Sequence, residues 1–180
     1  LMAKAAGYPF IPQNSTNRYH IEQITADFIT DVSAVCHRFG ADQVIIENVY
    51  DDAEHNLRIS MLPEVIHTVI TETGCGFLLD LAHAYLAAIY LGRDPQTYTA
   101  ALPTQHIREL HIAGIQTITG RWANLFQAHY PPAVYHQQFA NRLMDHLPLT
   151  QEDWHFIEWA LGEIHSGRWA TPWLVALEYG

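Results

Sequence analysis

The sequence predicts an α/β fold in which short parallel strands alternate with helices. Four short apolar runs lack the polar alternation of a half-solvated sheet, which is typical of buried parallel strands. Helical apolar patterns occupy the intervals between them. Strand, helix and strand in succession favour a parallel sheet with right-handed crossovers. Because 180 residues is a usual length for one domain, residues 1–180 are expected to form a single domain.

The predicted strands are residues 43–49, 76–80, 107–112 and 173–179. A long helix is predicted over residues 18–39, since Gly40 supplies a C-terminal stop. The next helix has an apolar face at a spacing of four residues, followed by the helix breaker Gly74. That face consists of Leu57, Met61, Val65 and Val69.

Thr150 and Asp153 predict the start of the last helix, with an N-cap hydroxyl followed by a first-turn carboxylate. Its predicted buried stripe is Trp154, Ile157, Leu161 and Ile164. Residues 113–132 carry glycines and a Pro-Pro pair, and are predicted to form a long loop.

The composition excludes several classes of function. Nine basic and nineteen acidic side chains give a net charge of −10, which disfavours a nucleic-acid partner. Lys4 is the only lysine, so Schiff-base catalysis, pyridoxal phosphate attachment and a P-loop are not expected. Cys36 and Cys75 are too few for a disulfide scaffold. The longest apolar run, residues 77–92, is too short to span a bilayer, and a cytoplasmic location is expected.

Each predicted strand ends in a polar residue that packing in a buried strand would not select. These residues are Glu47, Asp80, His111 and Glu178, at intervals of 33, 31 and 67 residues. The last interval corresponds to two strand–helix units, so another strand is expected near its midpoint. Residues 142–146 occupy that midpoint and end in Asp145 and His146.

The carboxyl ends of parallel strands converge on one face, where ligands bind. Several carboxylates without a neighbouring Arg or Lys would repel one another there, and a divalent cation would offset that repulsion. Asp, Glu and His ligands suit iron, manganese or zinc. His83, three residues after Asp80, is a further candidate ligand.

Each of these residues also has a purely structural interpretation. Glu47 can cap a helix, Asp80 can simply terminate its strand, and His111 can be a hydrogen-bonded core histidine. Their repeated placement at strand ends favours the metal site.

Four segments in order resemble the motifs of a family of xylose isomerase-like TIM barrels. They are Ile46-Glu47-Asn48-Val49, the segment TGCGFLLDL at residues 73–81, the segment ELHIAG at residues 109–114, and Leu177-Glu178-Tyr179. This family contains the iron enzyme of methanobactin biosynthesis and its relative in thiaglutamate biosynthesis. The resemblance spans residues 43–180, and it implies a (β/α) TIM-barrel type of fold of which this chain carries the later strands.

The resemblance also implies a chemistry. It implies a cluster of two or three iron atoms at the barrel mouth, and oxidation by dioxygen of a cysteine in a peptide bound to a partner protein. The implied metal ligands are Glu47, Asp80, His83, His111, Asp145, His146 and Glu178. In the family the last Asp and His are separated by one residue, whereas here Asp145 and His146 are adjacent.

The early strands of the family, which supply further histidines, have no counterpart ahead of Arg18. Three explanations stay open: a fragment, a chain completed by another copy, or a shortened relative. A partial barrel would expose sheet edges and part of its core, so the isolated chain is expected to self-associate or to be unstable.

Three functions remain as hypotheses. The first is an iron-dependent oxidative enzyme acting on a peptide or a small thiol, with a possible partner protein. The second is a divalent-metal sugar isomerase or epimerase, in which Glu47 and Glu178 serve as acid and base. The third is a degenerate, non-catalytic barrel fragment that acts as a binding partner.

Overall fold

The computed structural model describes residues 11–51 and 57–178. Its strands are β1 (Ile45–Glu47), β2 (Gly76–Asp80), β3 (Ile107–Ile112), β4 (Gly114–Thr117), β5 (Leu143–Leu147) and β6 (Leu174–Leu177). The main sheet has four parallel strands in the order β1-β2-β3-β6, and a separate antiparallel ribbon joins β4 and β5.

Seven α-helices lie in the described parts of the chain. They are α1 (Arg18–Phe39), α2 (Pro63–Thr73), α3 (Leu81–Tyr90), α4 (Pro95–Ala100), α5 (Gly120–His129), α6 (Pro132–Gln138) and α7 (Gln151–His165). Short 3-10 turns cover Ala41–Gln43, Ile59–Met61 and Thr104–His106.

The predicted helix boundaries are confirmed where a local signal marks them. Gly74 ends α2 in the left-handed conformation, with φ of 69°, which a residue without a Cβ adopts at little cost. Thr150 and Asp153 form a capping box at the start of α7. The predicted stripe of α7 is only partly right, because Trp154 and Leu161 are exposed whereas Phe156, Ile157 and Ala160 are buried.

The main core lies around β2 and β3. Phe77, Leu79 and Leu110 have no exposed surface, and residues of α2, α3 and α7 pack around them. A second apolar cluster joins α1 to α2. A third, centred on Ile118, Tyr135 and Leu147, supports the β4–β5 ribbon. The apolar core therefore supports the central strands β2 and β3 next to the edge of the sheet where they end.

Three expectations from the sequence are wrong in part. Residues 142–146 do contain a strand, but β5 pairs antiparallel with β4 instead of joining the parallel sheet. The predicted loop 113–132 contains β4 and α5. The last strand is not buried, since Leu174, Val175 and Leu177 are each at least half exposed on the sheet edge.

Within the described residues the parallel sheet stays open at β1 and β6 and does not close into a barrel. This is the architecture of a partial barrel. In the same parts of the chain, no helix has both the length and the apolar character that crossing a bilayer requires.

Candidate metal centre

The carboxyl ends of the four parallel strands bring the first site residues to one edge of the sheet. Glu47 ends β1, and Asp80 at the end of β2 lies in register with His111 of β3. Glu178 follows β6, and its backbone N–H donates to the carbonyl of Ile112 at 2.9 Å. Since these strands are parallel, all four residues lie at the carboxyl edge of the sheet.

Asp80 also determines where His83 lies. One carboxylate oxygen, Oδ1, accepts a hydrogen bond of 2.7 Å from the His83 backbone N–H and so caps α3. This cap begins the helix directly at the strand end. The imidazole of His83 consequently lies beside the Asp80 carboxylate, with 4.0 Å between Nε2 and Oδ2.

Asp145 and His146 reach the centre through an irregularity in the β4–β5 ribbon. Gly114 pairs with Leu147 and Gln116 with Met144, so β5 carries one more residue than β4 between these pairs. His146 has a φ of 56°, a left-handed conformation that is uncommon outside glycine. Bulges re-aim side chains in this way. As a result, the adjacent Asp145 and His146 both face the cluster, with 3.5 Å between Oδ2 and Nε2.

His83 lies at the middle of the cluster. Its Nδ1 is 3.1 Å from Glu47 Oε1, and its Nε2 is 3.0 Å from Asp145 Oδ2. His146 in turn extends the cluster to Glu178, with 3.6 Å between Nδ1 and Oε2.

His111 is held between two carboxylates. Its Nε2 bonds Glu109 Oε1 at 2.9 Å, and its Nδ1 lies 3.0 Å from Glu178 Oε1 without hydrogen-bond geometry. Glu109 and His111 are two residues apart on β3 and so project from the same face. The bond to Glu109 orients the ring in the manner typical of metal-binding histidines.

The structure thus brings together all seven predicted site residues: Glu47, Asp80, His83, His111, Asp145, His146 and Glu178. They form three overlapping groups, and in each group the potential ligand atoms lie within 4.8 Å of one another. The groups are Glu47–Asp80–His83, Asp80–His111–Glu178 and His83–Asp145–His146.

Two buried atoms test whether these residues fit a cation. Among the described residues, the buried side-chain nitrogens and oxygens that lack a hydrogen-bond partner are Asp80 Oδ2 and His111 Nδ1. Such orphaned atoms are rare because each costs the free energy of its lost hydration. Both residues belong to the same group, so a divalent cation there would supply the missing partner of both. The donor set therefore fits a metal.

The pKa values reflect the crowding of carboxylates. Burial raises the pKa of Asp80 and of Glu47. Burial acts to lower the pKa of His83, but its hydrogen bond to Asp145 and the charge of Asp80 outweigh this and raise it to about 9. Burial acts to raise the pKa of Asp145, but hydrogen bonds from His83 and Tyr50 and the nearby imidazoles of His146 and His83 together lower it. Without a metal, a His83 imidazolium balances the carboxylates.

Sequence reasoning missed three contributors to the centre. Glu109 follows from strand alternation with His111 and was in principle detectable. Asn48, next to Glu47, is buried and bonds the backbone of Asp80. The Tyr50 hydroxyl donates to Asp145 Oδ1 at 2.9 Å across 95 residues of sequence, a contact that no local pattern indicates.

Comparison with known proteins identifies the family of this chain. A family model described as "RiPP precursor modification enzyme MbnB/TglH/ChrH" matches residues 19–158, which is well over half of the chain. The chain belongs to this family. The MbnB/TglH/ChrH family is a group of xylose isomerase-like TIM-barrel metalloproteins, which agrees with the open parallel sheet and with the candidate ligand groups.

Three similar curated proteins are described as UPF0276 proteins. A UPF0276 protein of Caulobacter vibrioides is 36% identical over 69 residues, covering 38% of this chain and 25% of the relative. A UPF0276 protein of Psychromonas ingrahamii is 33% identical over 72 residues, or 40% of this chain and 25% of the relative. One of an Anaeromyxobacter species is 38% identical over 74 residues, with the same coverage of 40% and 25%. The matched segment is thus about a quarter of each relative's length.

Proposed function

We propose that this chain carries the metal centre of a non-haem iron enzyme that oxidatively modifies a precursor peptide or a small thiol. The observation that carries the proposal is the set of three overlapping ligand groups of carboxylates and imidazoles. The description of the matching family, a RiPP precursor modification enzyme, supports a peptide as the substrate.

The overlap between the groups supports a centre with more than one ion. Asp80 belongs to two groups, and so does His83. If more than one ion is bound, Asp80 and His83 would be among the residues that hold them. Carboxylate and imidazole ligands suit iron, manganese and zinc alike, and the family resemblance favours iron among them.

The exposed members of the cluster are the ones that would face a substrate. Side-chain exposure is 38% for Glu47 and 30% for Glu178, against 0% for Asp80 and 7% for Asp145. The buried carboxylates would hold metal, while Glu47 and Glu178 would in addition accept a proton from a bound thiol. Bound iron would supply the Lewis acidity and the redox chemistry for oxidation by dioxygen.

Metal analysis tests this proposal. The chain is purified under aerobic and under anaerobic conditions, and bound metal per chain is measured in each preparation. The proposal predicts two or more irons per chain, and oxygen uptake when a cysteine-containing precursor peptide is added. A single manganese or zinc ion together with sugar isomerase activity would favour the isomerase hypothesis instead. A chain that binds no metal would favour the hypothesis of a non-catalytic binding partner.

A matched pair of variants connects the metal to the site. Asp145→Ala removes a carboxylate of the cluster, whereas Asp31→Ala removes one from the exposed surface of α1. The proposal predicts loss of iron from the first variant and full occupancy in the second. Equal iron in both would place the metal elsewhere.

A further inference from the structure

We propose that Asn48 is the positioning residue of this centre, and that it fixes both the Asp80 carboxylate and the metal-facing nitrogen of His83. This inference rests on the proposed function, because it concerns the same metal centre. Asn48 directly follows β1 and is 1% exposed. Its side chain and its backbone contact two members of the cluster that belong to different elements.

The side-chain amide of Asn48 forms two hydrogen bonds with the backbone of Asp80. Oδ1 accepts from the Asp80 N–H at 2.9 Å, and Nδ2 donates to the Asp80 carbonyl at 3.0 Å. The backbone pairing of β1 with β2 ends at Glu47 and Leu78. The two hydrogen bonds of the amide therefore continue the connection between the chain segments beyond the last β1–β2 pair. They fix the backbone from which the Asp80 side chain extends.

The backbone carbonyl of Asn48 sets the orientation of His83. Nδ1 of His83 lies 2.9 Å from this carbonyl oxygen, which can only accept a hydrogen bond. Nδ1 must therefore carry the hydrogen, and Nε2 is the nitrogen left to coordinate a metal. Nε2 is the one that faces Asp145, at 3.0 Å from Oδ2.

The two contacts depend on each other. If the Asn48 side chain released Asp80, the turn after β1 would lose its attachment to β2, and the carbonyl that orients His83 would move with it. An amide offers a donor and an acceptor on two separate atoms, which matches the N–H and the carbonyl of the Asp80 backbone. Asp at position 48 has nearly the same shape, but it lacks the donor and brings another negative charge into the cluster.

The experiment compares Asn48→Asp and Asn48→Ala with the wild type and with a control, Thr99→Val. Thr99 is 0% exposed in α4 and bonds the Pro95 carbonyl, so the control also removes a buried polar group but lies outside the cluster. Ferrous iron affinity is measured anaerobically against a competing chelator, and the visible spectrum of the Co(II)-loaded protein reports ligand geometry. Far-UV circular dichroism checks folding.

Loss of a residue that orients metal ligands typically weakens metal binding about 10- to 100-fold. We expect a loss of that size in both Asn48 variants with an altered Co(II) spectrum, and unchanged values for Thr99→Val. Wild-type affinity and spectrum in Asn48→Asp would overturn the inference. Failure of both Asn48 variants to fold would also overturn it, since the role of Asn48 would then be structural. A wild-type chain that binds no iron would instead refute the proposed function.

Discussion

Gly114 of β4 offers a demanding test of how the β4–β5 ribbon supports the cluster. A Cβ at this position would lie 2.5 Å from both the carbonyl carbon and the oxygen of Pro148, and closer still to the carbonyl oxygen of Leu147. Contacts of this kind are normally about 3.5 Å, so the two chain segments would have to separate by about 1 Å. These three nearest atoms all belong to the backbone, so no side-chain rotation can relieve the clash with them.

Gly114→Ala is therefore expected to destabilise the fold. Overpacking usually costs about 1–3 kcal/mol, and a backbone clash places this variant in the upper part of that range, about 2–3 kcal/mol. The displacement falls on Leu147, next to His146, so ferrous iron affinity should fall as well.

Urea unfolding of the metal-free proteins measures the effect, with Gly162→Ala as the matched control. Gly162 lies within α7, and a Cβ there meets nothing within 4 Å. Ala should stabilise this helix by about 0.5–1 kcal/mol. A free energy of unfolding for Gly114→Ala within about 0.5 kcal/mol of the wild-type value would contradict the expected clash of about 2–3 kcal/mol.

Three further outcomes are expected. His111→Ala should lower iron affinity at least about 10-fold, whereas His155→Ala, on the exposed face of α7, should leave it unchanged. Equal iron contents in the two variants would show that His111 is not a ligand. Tyr50→Phe removes the hydrogen bond to Asp145 and should weaken iron binding about 10-fold without loss of helix content. An iron titration identical to that of the wild type would refute a positioning role for Tyr50. Val175→Lys on β6, the open edge strand of the sheet, should lower the particle mass measured by light scattering, whereas Ile89→Lys on α3 should not. A wild-type protein that is monomeric at every concentration would contradict self-association through β6.

The strand-end residues were predictable from sequence because their signal is local and periodic. A buried parallel strand is an apolar run, and a polar residue at its end is conspicuous. Asp80 and His111 recur at the strand–helix period, and the structure places them in register on neighbouring strands. The helix ends at Gly74 and Thr150 were predictable for the same reason, since each depends on a few adjacent residues.

The remaining features depend on contacts that are distant in sequence. The β4–β5 ribbon pairs Gly114 with Leu147, and each strand alone resembles a loop or a buried parallel strand. The bulge that turns both Asp145 and His146 toward the cluster follows from that pairing. The exposure of β6 could not be predicted either, because an apolar run does not indicate whether a neighbouring strand covers it.

The most direct test of the metal centre is an anaerobic equilibrium titration of Asp80→Asn with ferrous iron, beside the wild type. Asn preserves the shape of Asp80 and the Oδ1 cap on α3, while it removes the charge from the buried, unpartnered Oδ2. We expect iron stoichiometry or affinity to fall. The metal-free variant should be at least as stable as the wild type, because burial raises the pKa of Asp80 and so disfavours its charged form. Wild-type iron binding by Asp80→Asn would contradict the assignment of this cluster as the metal centre.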